Sequence, residues 1–288
     1  MKPSHSEFLP VRALRCHIRT WGDSAAPKVF MLHGWMDVSA SFQFAVDALA
    51  RDWHVIAPDL RGMGLSGWSQ DGYWHPDYVA DLDIVLRHYQ PEGPINLIGH
   101  SMGGNIVTWW ASLRPERVRR LVSMEGWALQ KAPPELAPKR YLAWLEQVAH
   151  PPTFKPFAGF EVLEARLRRD NPRLAGKRAA FLARHLARQL PTGEVLYVSD
   201  PKQKMGSPIF YRIEDAVACW DRMTAPMLWV TGSESVTDKW AVESTTLFLG
   251  HLRQHHPAFR EAVISDAGHM MHWEQPERMA RLIEDFLE

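Results

Sequence analysis

Six short apolar runs punctuate the chain, "KVFMLHG", "WHVIAPDL", "INLIGHS", "VRRLVSME", "MLWVTGS" and "EAVISDAGH", and most of them end in glycine, histidine, serine or an acid. They do not alternate between polar and apolar residues, which is the pattern of strands covered on both faces. Between several of them lie segments with apolar residues at helical spacing, "SFQFAVDALARD", "PDYVADLDIVLRHYQ" and "GGNIVTWWASLRPERV". Strands alternating with helices predict an α/β architecture, a mostly parallel sheet joined by right-handed crossovers. The alternation breaks between about Trp127 and Trp220. There "RYLAWLEQVA", "GFEVLEARLRRD" and "AGKRAAFLARHLARQL" carry helical periodicity and no core strand is evident. The pattern therefore predicts a core made of residues 1–126 and 221–288, with a helical cap of residues 127–220 inserted between the sixth and seventh strands. The prolines of "QKAPPELAPKR" refuse helix and mark the ascending hinge of that insertion.

At 288 residues and 46% hydrophobic content, the chain is long enough to bury a sizeable core. Lysine plus arginine equals aspartate plus glutamate, 33 of each, so no net field favours nucleic acid or an anionic membrane. Small molecules are the expected partners, and a homodimer is an option that composition leaves open. Cys16 and Cys219 share no short spacing and read as free thiols. No stretch reaches the roughly 20 apolar residues of a membrane span, and the opening segment lacks the apolar centre of a signal peptide. The expected location is cytoplasmic.

Candidate chemistry concentrates in "INLIGHSMGGN". A strand running into Gly99-His100-Ser101-Met102-Gly103 and then directly into a helix is a nucleophile elbow, in which flanking glycines permit a turn tight enough to expose the serine hydroxyl. Serine needs a base within hydrogen-bond reach. Of 14 histidines, His269 is placed best, on the loop between the last strand and the final helix, at the same sheet edge as Ser101. His272 lies further toward that helix, and His100 reads as a packing residue because neighbours on a sharp turn point apart. The oxyanion donors expected are the backbone amides of Met102, just after the nucleophile, and of Trp35, on the loop after "MLHG". His251, His255 and His256 have a spacing that suits a metal, but no carboxylate or thiolate shares their run, so they read as an exposed helix end. No cofactor and no metal are expected.

"HGW", "DLRGMGLS", "GHSMGG" and "DAGHMMHWEQPE", in that order and spanning nearly the whole chain, resemble the α/β-hydrolase superfamily, in particular its cap-bearing branch of esterases, C–C bond hydrolases, haloalkane dehalogenases and epoxide hydrolases. The resemblance implies an eight-stranded, mostly parallel sheet flanked by helices, Ser101 as nucleophile and His269 as base. It argues against dehalogenases and epoxide hydrolases, which attack with an aspartate where this chain has Ser101. One position departs from the family pattern. The loop after the strand that follows the cap usually carries the triad aspartate, and here "VTGSESVTDKW" places Ser235 at that position, flanked by Glu234 and Asp238. Glu125, at the tip of the strand following the elbow helix, resembles the placement of the catalytic glutamate in some haloalkane dehalogenases. The expected triad is Ser101, His269 and Glu125, with Asp238 or Glu234 as the alternative acid.

The insertion is rich in aromatic residues: Trp127, Tyr141, Trp144, Phe154, Phe157, Phe160, Phe181, Phe210, Tyr211 and Trp220. With few evident inward charges, they suggest an apolar pocket suited to an acyl or aryl ester. Asp59 and Arg61 are expected to brace the "DLRGMGLS" loop by pairing or by hydrogen bonds. The function expected is a serine hydrolase, a carboxylesterase working through an acyl-enzyme. The alternatives are a C–C bond hydrolase and a non-catalytic ligand-binding member of the fold.

Overall fold

A computed structural model describes residues 1–126, 133–209, 212–235 and 242–288. Among the described residues there are ten strands: β1 (Ser4–Val11), β2 (Leu14–Trp21), β3 (Lys28–Leu32), β4 (His54–Pro58), β5 (Ile95–His100), β6 (Val118–Met124), β7 (Ala187–Gln189), β8 (Val195–Tyr197), β9 (Met227–Gly232) and β10 (Phe259–Ile264). Eight of them form one sheet in the order β1-β2-β4-β3-β5-β6-β9-β10. The β1–β2 and β2–β4 pairs are antiparallel and every other pair is parallel.

The side-chain period of a strand divides the core in two. Phe30, Leu32, Leu97, Leu121 and Trp229 point to one face, and Val29, Met31, Ile98, Val122 and Val230 to the other. On the first face pack α2 (His75–Tyr89), α3 (Met102–Leu113), α7 (Ile213–Trp220) and α8 (Val242–His255), through Leu82, Leu86, Ile106, Trp110, Trp220, Phe248 and Leu252. On the second pack α1 (Gln43–Ala48) and the final helix α9 (Pro276–Leu287), whose Met279, Ile283, Phe286 and Leu287 form its single apolar stripe. Both faces are covered, so β4 and β5 are buried along their whole length and read as continuous apolar runs.

Between β6 and α7 the chain forms α4 (Ala137–Ala149), α5 (Phe160–Asp170) and α6 (Gly176–Leu186). The helical pattern of "AGKRAAFLARHLARQL" stops at Leu186. Ala187–Gln189 instead pairs antiparallel with Val195–Tyr197 in a hairpin apart from the main sheet. Leu163, Leu167, Leu182, Leu186 and Val195 form a third cluster that closes over Val38, Ala40, Phe44 and Trp273 of the core. Trp220, counted in sequence with the insertion's aromatics, belongs instead to the sheet core, its ring 4.8 Å from that of Phe248. Trp127, Phe210 and Tyr211 lie outside the described residues.

The parallel strands place their carboxyl ends along one rim, the edge at which open α/β sheets gather functional groups. On that rim follow His33 to Asp37 after β3, Ser101 after β5, Glu125 after β6, Ser233 to Ser235 after β9, and Ala267 to His269 after β10.

Candidate active site

Ser101 stands between β5 and α3 with φ 52° and ψ −120°, a left-handed conformation rare for a residue with a Cβ. Its amide donates to the Met124 carbonyl at 2.8 Å, and its carbonyl accepts from the Asn105 amide at 3.1 Å, so neighbouring elements hold the strained turn. Glycine is required on both sides. A Cβ on Gly99 would lie 2.3 Å from the Gly103 carbonyl oxygen, and one on Gly103 would lie 2.3 Å from that of Leu32. Met102 opens α3, where the first amides of a helix lack intrahelical acceptors. The loop after β3 lies against the elbow: a Cβ built on Gly34 would sit 3.1 Å from that of Ser101. Trp35 follows on this loop, and its indole Nε1 donates to the Gln203 carbonyl of the insertion at 3.0 Å.

Glu125 is fully buried at the tip of β6, with φ 49°. A charge taken out of water must be paired or hydrogen-bonded. Oε1 accepts from the Thr231 hydroxyl and the Gly232 amide, both at 2.9 Å. Oε2 accepts from the Ser235 hydroxyl at 2.8 Å and lies 2.6 Å from Nδ1 of His269. The side chain of His269 is itself 24% exposed. A sealed carboxylate thus meets a solvent-reachable imidazole at its Nδ1.

Ser235 occupies the position of the family's usual aspartate and donates to Glu125 instead. A carboxylate there would face another carboxylate at hydrogen-bond distance, whereas the serine hydroxyl donates to it. Glu234 is exposed and forms an ion pair with Arg173 on the segment between α5 and α6. Asp238 lies outside the described residues. The sequence reading did not identify Thr231 and Ser235 as partners of the glutamate. The available signal was hydroxyl residues at the end of β9, adjacent in the sheet to the strand that carries Glu125.

The other histidines divide into distinct groups. His100 is buried, and its Nε2 donates to the backbone carbonyl of His269 at 2.8 Å. Burial, followed by the charges of His272 and His269, holds its pKa well below the ordinary imidazole range. His272, also buried, places Nε2 3.3 Å from Oδ2 of Asp37, which accepts from the Ser41 hydroxyl at 2.8 Å. One ligand atom from each of Asp37, His100 and His272 lies within 4.8 Å of the others, the spacing among the described residues that could hold a metal ion. On α8, His251 Nε2 lies 2.9 Å from Asp221 Oδ1, and its ring centroid lies 4.7 Å from that of His255. Cys16 and Cys219 are free thiols. Burial raises Cys16 to about 12, so it stays protonated and inert.

Asp59 and Arg61 brace the loop separately. Burial opposes the Asp59 charge, but the hydrogen bond and charge of His17, 2.8 Å away, and the Leu65 amide hold its carboxyl well below the usual range. Arg61 reaches Asp81 with two hydrogen bonds of 2.6 Å. A groove of about 920 Å³ opens between the loop carrying Trp68, Tyr73 and Trp74 and the insertion residues Trp144 and Met205 to Ile209. Its walls also carry Arg12, Arg61, Asp71 and Asp77, and include neither Ser101 nor His269.

An eight-stranded sheet with a serine elbow and a histidine loop at the carboxyl rim defines the α/β-hydrolase class. The chain belongs to the alpha/beta hydrolase fold family, whose model matches residues 27–276. It is 26% identical to a serine hydrolase-like protein of Danio rerio, over all of this chain and 90% of that one. It is 28% identical to an esterase of Mycobacterium tuberculosis, over 93% of this chain and 85% of that one. Among solved structures it resembles a thioesterase domain from the curacin biosynthetic pathway, with a TM-score of 0.87 and 23% identity, covering 98% of this chain and 99% of that one. This last likeness is one of fold. No helix among the described residues is long and apolar enough to cross a membrane.

Proposed function

We propose that this protein is a serine hydrolase of carboxylic esters or related small acyl compounds, working through a triad of Ser101, His269 and Glu125. The observation that carries the reading is the 2.6 Å contact between Nδ1 of His269 and the sealed Glu125 carboxylate, at the same rim as a serine held in a strained elbow. The relatives described as a serine hydrolase-like protein and an esterase support the ester class.

In this reading Glu125 holds His269 in the tautomer with its proton on Nδ1, leaving Nε2 as base. His269 takes the Ser101 proton as the oxygen attacks the ester carbonyl, and the tetrahedral oxyanion rests on the amides of Met102 and Trp35. Collapse expels the alcohol, which receives the proton from His269. Water, activated by the same imidazole, then releases the acid and regenerates the serine. Residues 133–209 act as the cap, while α7 belongs with the sheet. The Trp35 to Gln203 bond and the Arg173 to Glu234 ion pair tie that segment to loops of the rim.

Labelling by a fluorophosphonate probe tests the reading. Wild-type protein is expected to be labelled and to hydrolyse p-nitrophenyl esters, and Ser101→Ala to do neither. Folded wild-type protein that takes no label would overturn it.

A further inference from the structure

We propose that His100 is a positioning residue for the catalytic base: its imidazole, backed by His272 and Asp37, fixes the backbone of His269 and so sets the gap between base and nucleophile. The inference rests on the hydrolytic reading above.

His269 is gripped from two directions. Glu125 holds its ring through Nδ1, but a contact at the ring does not by itself fix the backbone of the loop that carries it. The second grip is on the main chain. The His269 carbonyl can only accept, so His100 must donate to it from Nε2, at 2.8 Å. The two rings also pack, their centroids 4.7 Å apart. His100 is bonded covalently to Ser101. One residue therefore joins the nucleophile's turn to the base's backbone, and the length of this link is set by a rigid ring.

The rest of the surroundings keeps that ring in place and neutral. The His272 ring also packs on it, centroids 4.4 Å apart, and is anchored toward Asp37. Nδ1 of His100 has no hydrogen-bond partner and lies where a Cβ on Gly34 would come within 3.2 Å. The titratable groups around it are His269, His272 and His33, together with Asp37, which offers a carboxylate oxygen within 4.8 Å of a ring nitrogen of His100 and one of His272. A proton on His100 would set a second positive charge beside the imidazolium that forms on His269 during catalysis. A neutral donor holds the base without that repulsion.

Steady-state kinetics on a p-nitrophenyl ester, read with the downfield NMR signal of the His269 Nδ1 proton, tests this. His100→Phe keeps a ring and removes the donor. It is expected to lower kcat by about 10²-fold, the scale of a misplacement near 1 Å, with little change in KM, and to shift or broaden the proton signal. His100→Gln, whose amide can reach the same carbonyl, should recover most of the rate and the signal. His272→Phe, which keeps the packing but loses Asp37, should lose less. If His100→Phe does not fold, His100→Asn, too short to reach the carbonyl, replaces it. An unchanged kcat and signal in the donor-less variant, or equal losses in the Gln and Phe variants, would overturn the proposal. If wild type turns over no ester, the hydrolytic reading falls, and the proton signal still reports whether His100 governs the His269 ring.

Discussion

Glu125 at the tip of β6 and the apolar residues of α4 in the insertion show opposite relations between side chain and surroundings. The glutamate is charged yet fully buried, and each of its oxygens meets two donors. No residue of α4 is buried, and its Leu142 and Leu145 are 65% and 53% exposed. At the rim, both oxygens of this carboxylate are met because an unmet buried charge costs far more than an unmet neutral group. On the insertion, an exposed leucine costs little and its neighbours are loosely constrained. The reaction class is thus written in groups whose geometry is over-determined.

The largest expected effect breaks the rim. Glu125→Gln keeps size and shape, but its amide would donate toward Ser235 and His269, so the imidazole loses the acceptor that fixes its tautomer. Turnover should fall by about 10⁴-fold, measured as kcat on an activated ester, with the fold retained by circular dichroism. Glu234→Gln and Asp238→Asn should stay near wild type. If instead Asp238→Asn alone abolishes turnover, the acid comes from the loop after β9 and Glu125 is only structural.

Acid should also weaken the fold, through histidines that burial keeps neutral. His100 and His272 are held below the ordinary imidazole pKa by burial, and burial on α2 takes His75 down to about 4. Each stays neutral when folded but binds a proton when unfolded below about pH 6.5. Between pH 6.5 and 4 the unfolded state therefore holds more protons. Stability is full above that window and declines as pH falls through it, by up to about 1.4 kcal/mol per pH unit for each such histidine. Urea midpoints at pH 7 and pH 5 should differ accordingly, and His75→Phe should flatten the dependence. A flat profile in wild type would mean these imidazoles have escaped burial.

Ser235→Ala sharpens the comparison at smaller scale. It removes one of the two donors to Oε2 of Glu125 and leaves His269 as the other. A hydrogen bond to a charged group contributes about 1.5–3 kcal/mol, and a loss of that order is expected in the denaturation free energy, together with a reduced kcat. No change would show that the hydroxyl is incidental to the acid's unusual placement.

Much of this rim was readable along the chain. Glycine on both sides of Ser101 between an apolar run and a helical segment has few uses other than an elbow, and a glutamate ending an apolar strand demands a partner. Both inferences rest on costs that hold locally, steric in one case and electrostatic in the other. The partners were less legible. Thr231 and Ser235 come beside Glu125 only because β9 pairs with β6 across the whole insertion, a long-range register that local pattern does not encode. The role of the His100 ring at the His269 carbonyl was hidden for the same reason, since His100 read as packing alone. In the insertion, helical periodicity located α4, α5 and α6. It missed the short hairpin after Leu186, where three residues are too few to show a period of two, and it could not tell which aromatic residues face the core.

The smallest effect tests whether α4 is as unconstrained as its exposure suggests. Leu182, on α6 of the same insertion, is fully buried in the cluster that closes over Phe44, and Leu182→Ala should cost about 2–5 kcal/mol. Leu145→Ser, on a helix with no buried residue, should change stability by no more than about 0.5 kcal/mol, measured by chemical denaturation at pH 7. A loss matching that of Leu182→Ala would mean that the outer face of α4 has a partner within the folded chain. In that case the insertion would be as tightly specified as the rim, and the contrast between a determined floor and a permissive surface would fail.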